Sequence, residues 1–157
     1  MTLIRPSVFR RRSRLRAVLF SGGRGSGALA RQLTHHQAID LTVAINGYDD
    51  GASTGEVRRF LGDSLGPSDF RKNASRLATE LSTAPAALVA LLDGRLPVGC
   101  DAQGARAAIA VAKRGDHPWT VAVSRYLEAF EEALERSGRP FDFSDCSLGN
   151  LVFAGAF

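Results

Sequence analysis

Apolar positions come first in short unbroken runs and later at helical spacing. Ala17-Val18-Leu19-Phe20 is a continuous apolar run of the kind found in a buried strand, and Leu41-Thr42-Val43-Ala44-Ile45 is a second, β-branched one. Ala28–Leu33 between them reads as a helix. Strand, helix and strand within about thirty residues make a βαβ unit, with parallel strands and a right-handed crossover. Ser53 or Thr54 is placed to cap a helix running through Leu61, with Glu56 in its first turn. Ser68–Leu81 reads as the next helix, capped by Ser68. Residues 82–138 read as helical throughout, with Pro85 in the first turn of a helix that ends at Asp93-Gly94 and an alanine-rich helix over Ala102–Lys113. Pro118 opens the clearest amphipathic helix, with Trp119, Val123, Tyr126, Phe130 and Leu134 on one face and glutamates on the other. That aromatic stripe predicts core packing. The pattern as a whole predicts an α/β domain.

The last seven residues, Leu151–Phe157, carry no polar face. That ending leads us to expect a sheet incomplete at the carboxyl terminus, either an inactive truncated fragment or an end covered by another chain, such as a second copy in a homo-oligomer.

Charge divides the chain in two. Residues 1–16 hold Arg5, Arg10, Arg11, Arg12, Arg14 and Arg16 and no acid, so residues 1–15 read as a basic tail before a domain over 16–157. The rest is slightly acidic, and no aromatic-rich basic face follows, which argues against a nucleic-acid partner. Cys100 and Cys146 stand without a second Cys or a His at zinc spacing. No apolar stretch approaches the ~20 residues of a membrane span. No secretory leader pattern follows the arginines, so a cytoplasmic location is expected.

Three loops carry candidate chemistry. Gly22-Gly23-Arg24-Gly25-Ser26-Gly27 follows the first strand and opens a helix. Glycines let the backbone approach an anion, the helix start offers free amides, and Arg24 adds a guanidinium. Gly23-x-Gly25-x-x-Ala28 fits the dinucleotide fingerprint, although Asn46 stands where that fingerprint wants an acid. A plain strand-to-helix turn is the competing reading. Asp49-Asp50-Gly51-Ala52-Ser53-Thr54-Gly55 follows the second strand, at the same sheet edge. Paired carboxylates beside phosphate suit Mg²⁺ or an acceptor hydroxyl; a helix cap with a solvated neighbour is the alternative. Gly66-Pro67-Ser68-Asp69-Phe70-Arg71-Lys72-Asn73 offers an acid, two bases and an amide to a polar cleft. Near the end, Ser147-Leu148-Gly149-Asn150 repeats the logic of the first loop.

Taken in order, these four segments resemble the CofD-like superfamily, which includes 2-phospho-L-lactate transferase and the bacterial YvcK-type gluconeogenesis factors. The resemblance covers about residues 16–76 and 145–157, and Asp49–Gly55 running into Glu56-Val57-Arg58-Arg59 is its most specific part, closer to the YvcK-type branch. It implies a Rossmann-like parallel sheet binding a nucleoside diphosphate derivative, linked to GDP or UDP. It also implies either transfer of a phospholactyl-type group to an acceptor hydroxyl with Mg²⁺, or a non-catalytic nucleotide-sugar-binding regulator. By the same resemblance Gly22, Gly23 and Gly25 would cradle phosphate, and Arg24, Ser53 and Thr54 are expected to join them. Asp49 and Asp50 would face the metal or the hydroxyl, joined by Asp69 as the catalytic carboxylates. Arg71 and Asn73 would line the cleft, and Ser147, Gly149 and Asn150 would hold the nucleotide. The chain departs from the family pattern at Arg24, at Lys72, which sets Asn73 one place further on, and at Cys146 before Ser-Leu-Gly-Asn. The family also implies a longer protein, with the substrate half beyond Phe157.

Overall fold

The computed structural model describes residues 14–22 and 25–157. Two parallel strands, β1 (Leu15–Ser21) and β2 (Ile39–Ile45), flank α1 (Gly27–His35), and they pair in register from Leu15–Ile39 to Ser21–Ile45. Six further helices follow: α2 (Ala52–Phe60), α3 (Pro67–Glu80), α4 (Ala86–Asp93), α5 (Ala102–Ala112), α6 (Thr120–Ser137) and α7 (Leu148–Ala156). The class is α/β. Among the described residues the sheet has only these two strands, so the wider Rossmann-like sheet expected from the sequence is not seen.

The buried core lies among the helices, not on the sheet. Val57, Ile109, Val123, Leu127, Phe130, Phe143 and Leu151 are its centre. Phe130 meets Phe60 and Phe141 edge-on, with ring centroids 5.4 and 5.3 Å apart. Leu127, not Tyr126, is fully buried on α6, and α7 passes close over the backbone at Tyr126 and Phe130. A Cβ on Gly155 would run into the Tyr126 carbonyl oxygen and come within 2.9 Å of the Phe130 amide nitrogen. Glycine is what lets the two helix backbones meet there. The sheet is barely covered: Val18 and Phe20 of β1 are 59% and 83% exposed.

Several helix boundaries differ from those expected. Residues 82–138 are not helical throughout; the chain is irregular from Gly94 to Asp101 and again from Lys113 to Trp119. Pro97 supplies no amide for a helix, and the segment pairs instead with the entry to α7. Leu96 donates to the Cys146 carbonyl at 2.8 Å, Leu148 donates to the Gly94 carbonyl at 2.9 Å, and Arg95 and Ser147 form an antiparallel bridge. Gly51 and Gly66, in extended backbone, precede α2 and α3 where Ser53 or Thr54 and Ser68 were expected as caps. Pro67 opens α3, its fixed φ suiting the first turn. No helix among the described residues is long and apolar enough to cross a membrane.

Candidate functional site

β1 and β2 release the chain at the same end of the sheet. Gly23 and Arg24 of the first loop lie outside the described residues. Around that gap the loop is held by α3. Asn73, 2% exposed, donates through Nδ2 to the Gly22 carbonyl at 3.1 Å and to the Asp69 carbonyl at 2.9 Å. Its Oδ1 lies 3.1 Å from the Ser21 hydroxyl, which also meets the hydroxyl of Ser26. One buried amide side chain thus ties the exit of β1 to the first turn of α3, 51 residues away.

That arrangement frees the start of α1. Ser26 precedes the helix but spends its hydroxyl on Ser21, so no side chain caps the first-turn amides. The guanidinium of Arg76 stands directly over Gly27, 2.8 Å from where a Cβ would be, and donates to Asn73 Oδ1 at 3.4 Å. Gly25 has open space beside it. Uncapped amides, a positive helix end and an arginine together suit an anion. Asp69 is buried beside Gly22 and is paired with Lys72 at 3.3 Å.

The second loop is organised mostly around itself. Asp49 accepts the Gly51 amide at 3.2 Å through Oδ1. Asp50, largely exposed, meets the buried Arg58 at 3.4 Å. Arg58 also donates to Asp63 at 2.6 Å and to the Ser64 carbonyl at 2.9 Å, and so locks both ends of α2. Sequence reasoning missed Arg58, whose only signal is an arginine closing a helix above two acidic loops.

Four of the remaining candidates meet in a buried polar knot. Asn150 donates through Nδ2 to Ser68 at 2.9 Å and to Ser53 at 3.3 Å, and Thr54 donates to Ser68. Arg71 donates through Nε to Asn150 Oδ1 at 3.2 Å and through Nη1 to Asp93. Burial pulls the Arg71 guanidinium below its ordinary pKa, against the pull of Asp93. Ser147 is fully buried, and its hydroxyl accepts the Asn150 amide at 3.2 Å as the cap of α7. Gly149 packs so closely on Arg71 and the Leu92 carbonyl that a Cβ has no room. Each of these side chains is satisfied within the protein. Ser53, Thr54, Arg71, Ser147, Gly149 and Asn150 therefore form the frame beneath the loops, while Gly22, Gly25, Asp49, Asp50, Asp69 and Asn73 belong to the loops or the α3 start that holds them. Among the described residues no three His, Cys, Asp or Glu side chains gather as a metal cluster. Comparison with protein-family models, with curated proteins and with solved structures finds no match for the chain.

Proposed function

We propose that this protein binds the phosphate part of a nucleoside diphosphate derivative at the edge where β1 and β2 end, in the manner of a CofD-like transferase. The observation that carries the reading is the uncapped start of α1, whose Ser26 hydroxyl is spent on Ser21, with Arg76 over Gly27 and Asn73 tying the Gly22 carbonyl to α3. A Rossmann-like sheet completed by further strands is part of this proposal.

As a transferase, the protein would align an acceptor hydroxyl with the diphosphate. The hydroxyl oxygen bonds to the outer phosphorus and the bridging P–O bond breaks. A nucleoside monophosphate leaves, and the hydroxyl proton passes to a carboxylate, for which Asp69 beside Gly22 is the best-placed group. The donors present fit Mg²⁺ only as a shared site. Asp49 has Oδ1 on the Gly51 amide, and its neighbour Asp50 is largely exposed and meets Arg58, so this pair would offer the ion only part of its carboxylate oxygens. Substrate phosphates and water would complete the shell, as is usual for this ion. When bound, Mg²⁺ would neutralise charge on the transferred group.

A second reading, a non-catalytic nucleotide-sugar-binding regulator, draws support from Asp50, whose carboxylate is already paired with Arg58 of α2. Calorimetry with GDP and UDP-sugars, with and without Mg²⁺, followed by product analysis, separates the two. Binding with release of nucleoside monophosphate in the presence of an acceptor alcohol supports the transferase. Binding without product supports the regulator, and no saturable binding of any nucleotide removes both.

A further inference from the structure

β1 has an unguarded outer edge. Leu15 donates to the Ala38 carbonyl at 2.7 Å and Ser21 accepts the Asn46 amide at 3.3 Å, so the odd-numbered residues of β1 turn their backbone groups to β2. The amides and carbonyls of Arg16, Val18 and Phe20 therefore point the other way, and among the described residues nothing bonds to them. α1 packs on β2 and α3, towards the opposite side of the sheet. Natural edge strands are guarded by proline, a bulge or charges. β1 holds no proline and no charge but Arg16, and its register with β2 runs without a bulge.

The side chains repeat the pattern. Arg16, Val18 and Phe20 share one face of the sheet with Asp40, Thr42 and Ala44 of β2. On β2 that face is polar at the exposed Asp40 and Thr42, whereas on β1 it is apolar at the exposed Val18 and Phe20. The apolar surface is thus concentrated at the open edge. An antiparallel neighbour must set residues with outward backbone groups opposite one another. A second β1, turned about a two-fold axis through Val18, does so along the whole edge. Val18 meets its own copy, and Arg16 of each chain lies opposite Phe20 of the other. Each of these pairs exchanges two backbone hydrogen bonds, and the Arg16 stem and guanidinium cover the facing Phe20 ring. An axis through Arg16 would set like charges opposite each other, and one through Phe20 would leave Arg16 beyond the end of the other strand. The edge is therefore self-complementary in one register.

We infer that this chain associates with a second copy of itself through the β1 edge, joining two small sheets into one of four strands in the order β2-β1-β1-β2. The inference is independent of the phosphate reading, since the association needs no nucleotide. A single edge strand is a small interface, so the dimer is weak and depends on concentration. The test is sedimentation equilibrium of the full chain from about 1 μM to about 500 μM at fixed salt. A monomer–dimer equilibrium is expected. Phe20→Lys sets a second cation opposite Arg16 of the other copy and should weaken the dimer about tenfold or more. Its melting temperature should stay that of the wild type, because Phe20 faces solvent. Arg16→Glu/Phe20→Lys should recover most of the loss, since opposite charges then face each other across the axis. In one chain the two positions are four residues apart along the strand, so that recovery reports contact between copies. A monomer at every concentration overturns the inference, as does a dimer that Phe20→Lys leaves intact. Failure of the double variant to recover overturns the register and with it the proposed edge. Growth beyond a dimer overturns the closed two-fold arrangement.

Discussion

Arg71 of α3 donates through Nε to Oδ1 of Asn150 on α7, 79 residues later in the chain, at 3.2 Å. The same amide then turns its two protons to Ser68 and Ser53. A single side chain from the last helix thus satisfies groups on α2 and α3, the two helices that begin just after the candidate loops.

Asn150→Ala should cost about 2–4 kcal/mol. It strips the buried Arg71 of its acceptor and leaves two buried hydroxyls without their donor. The denaturation midpoint in guanidinium, at unchanged slope, measures this loss. A cost below about 1 kcal/mol would show that water or Asp93 replaces the amide at no penalty.

Two glycine substitutions should behave oppositely. Gly155→Ala forces a methyl into the Tyr126 carbonyl, and backbone cannot step aside, so a loss of about 2–3 kcal/mol is expected. Gly27→Ala meets only the tip of Arg76, which can swing away. That variant should keep nearly all its thermal stability yet bind phosphate several-fold more weakly. Unchanged phosphate affinity in Gly27→Ala would separate Arg76 from the anion site.

Cys146 should be inert and should make stability fall in alkali. Burial pushes its thiol from an ordinary value of 9.0 up to about 12, with Arg95 pulling the other way. The folded protein keeps the proton that the unfolded chain releases above pH 9. The stabilising contribution is therefore complete below pH 9 and is lost as pH rises towards 12. The wild type should lose more stability than Cys146→Ala between about pH 8 and about pH 11. A thiol reagent at neutral pH should label the half-buried Cys100 and spare Cys146. Equal labelling of the two would refute the burial argument.

The sequence reveals the βαβ unit and the late amphipathic helix because each is a local pattern. Continuous apolar runs mark β1 and β2, and spacing of three and four marks α6. Their edges are less legible. Ser68 has the chemistry of a helix cap, yet its hydroxyl is spent on Thr54 and Asn150, and only a partner 82 residues away explains that choice. Tyr126 fits the core stripe, but Leu127 holds the fully buried place, a matter of how α6 is rotated against its neighbours. Phe141 and Phe143 lie in no helix and follow no period, so their entry into the aromatic core is a tertiary fact. Among the site residues, the release of the first and second loops at one sheet edge follows from the βαβ unit, whereas the tie from Asn73 to Gly22 rests on a partner 51 residues away. The burial of Ser147 and Asn150 is not legible either, because a hydroxyl and an amide before a helix look alike whether they face a ligand or a neighbouring helix.

The late position of Asn150 has a consequence for biosynthesis. The two loops and both helices beneath them leave the ribosome well before the residue that fastens them together. Until Asn150 emerges, Ser53, Ser68 and Arg71 must find their partners in water, and the two loops above them lack their frame. The knot therefore closes only after a residue 82 positions beyond Ser68 has been made, and a ribosome stalled shortly before Asn150 should expose a chain that proteases cut more readily.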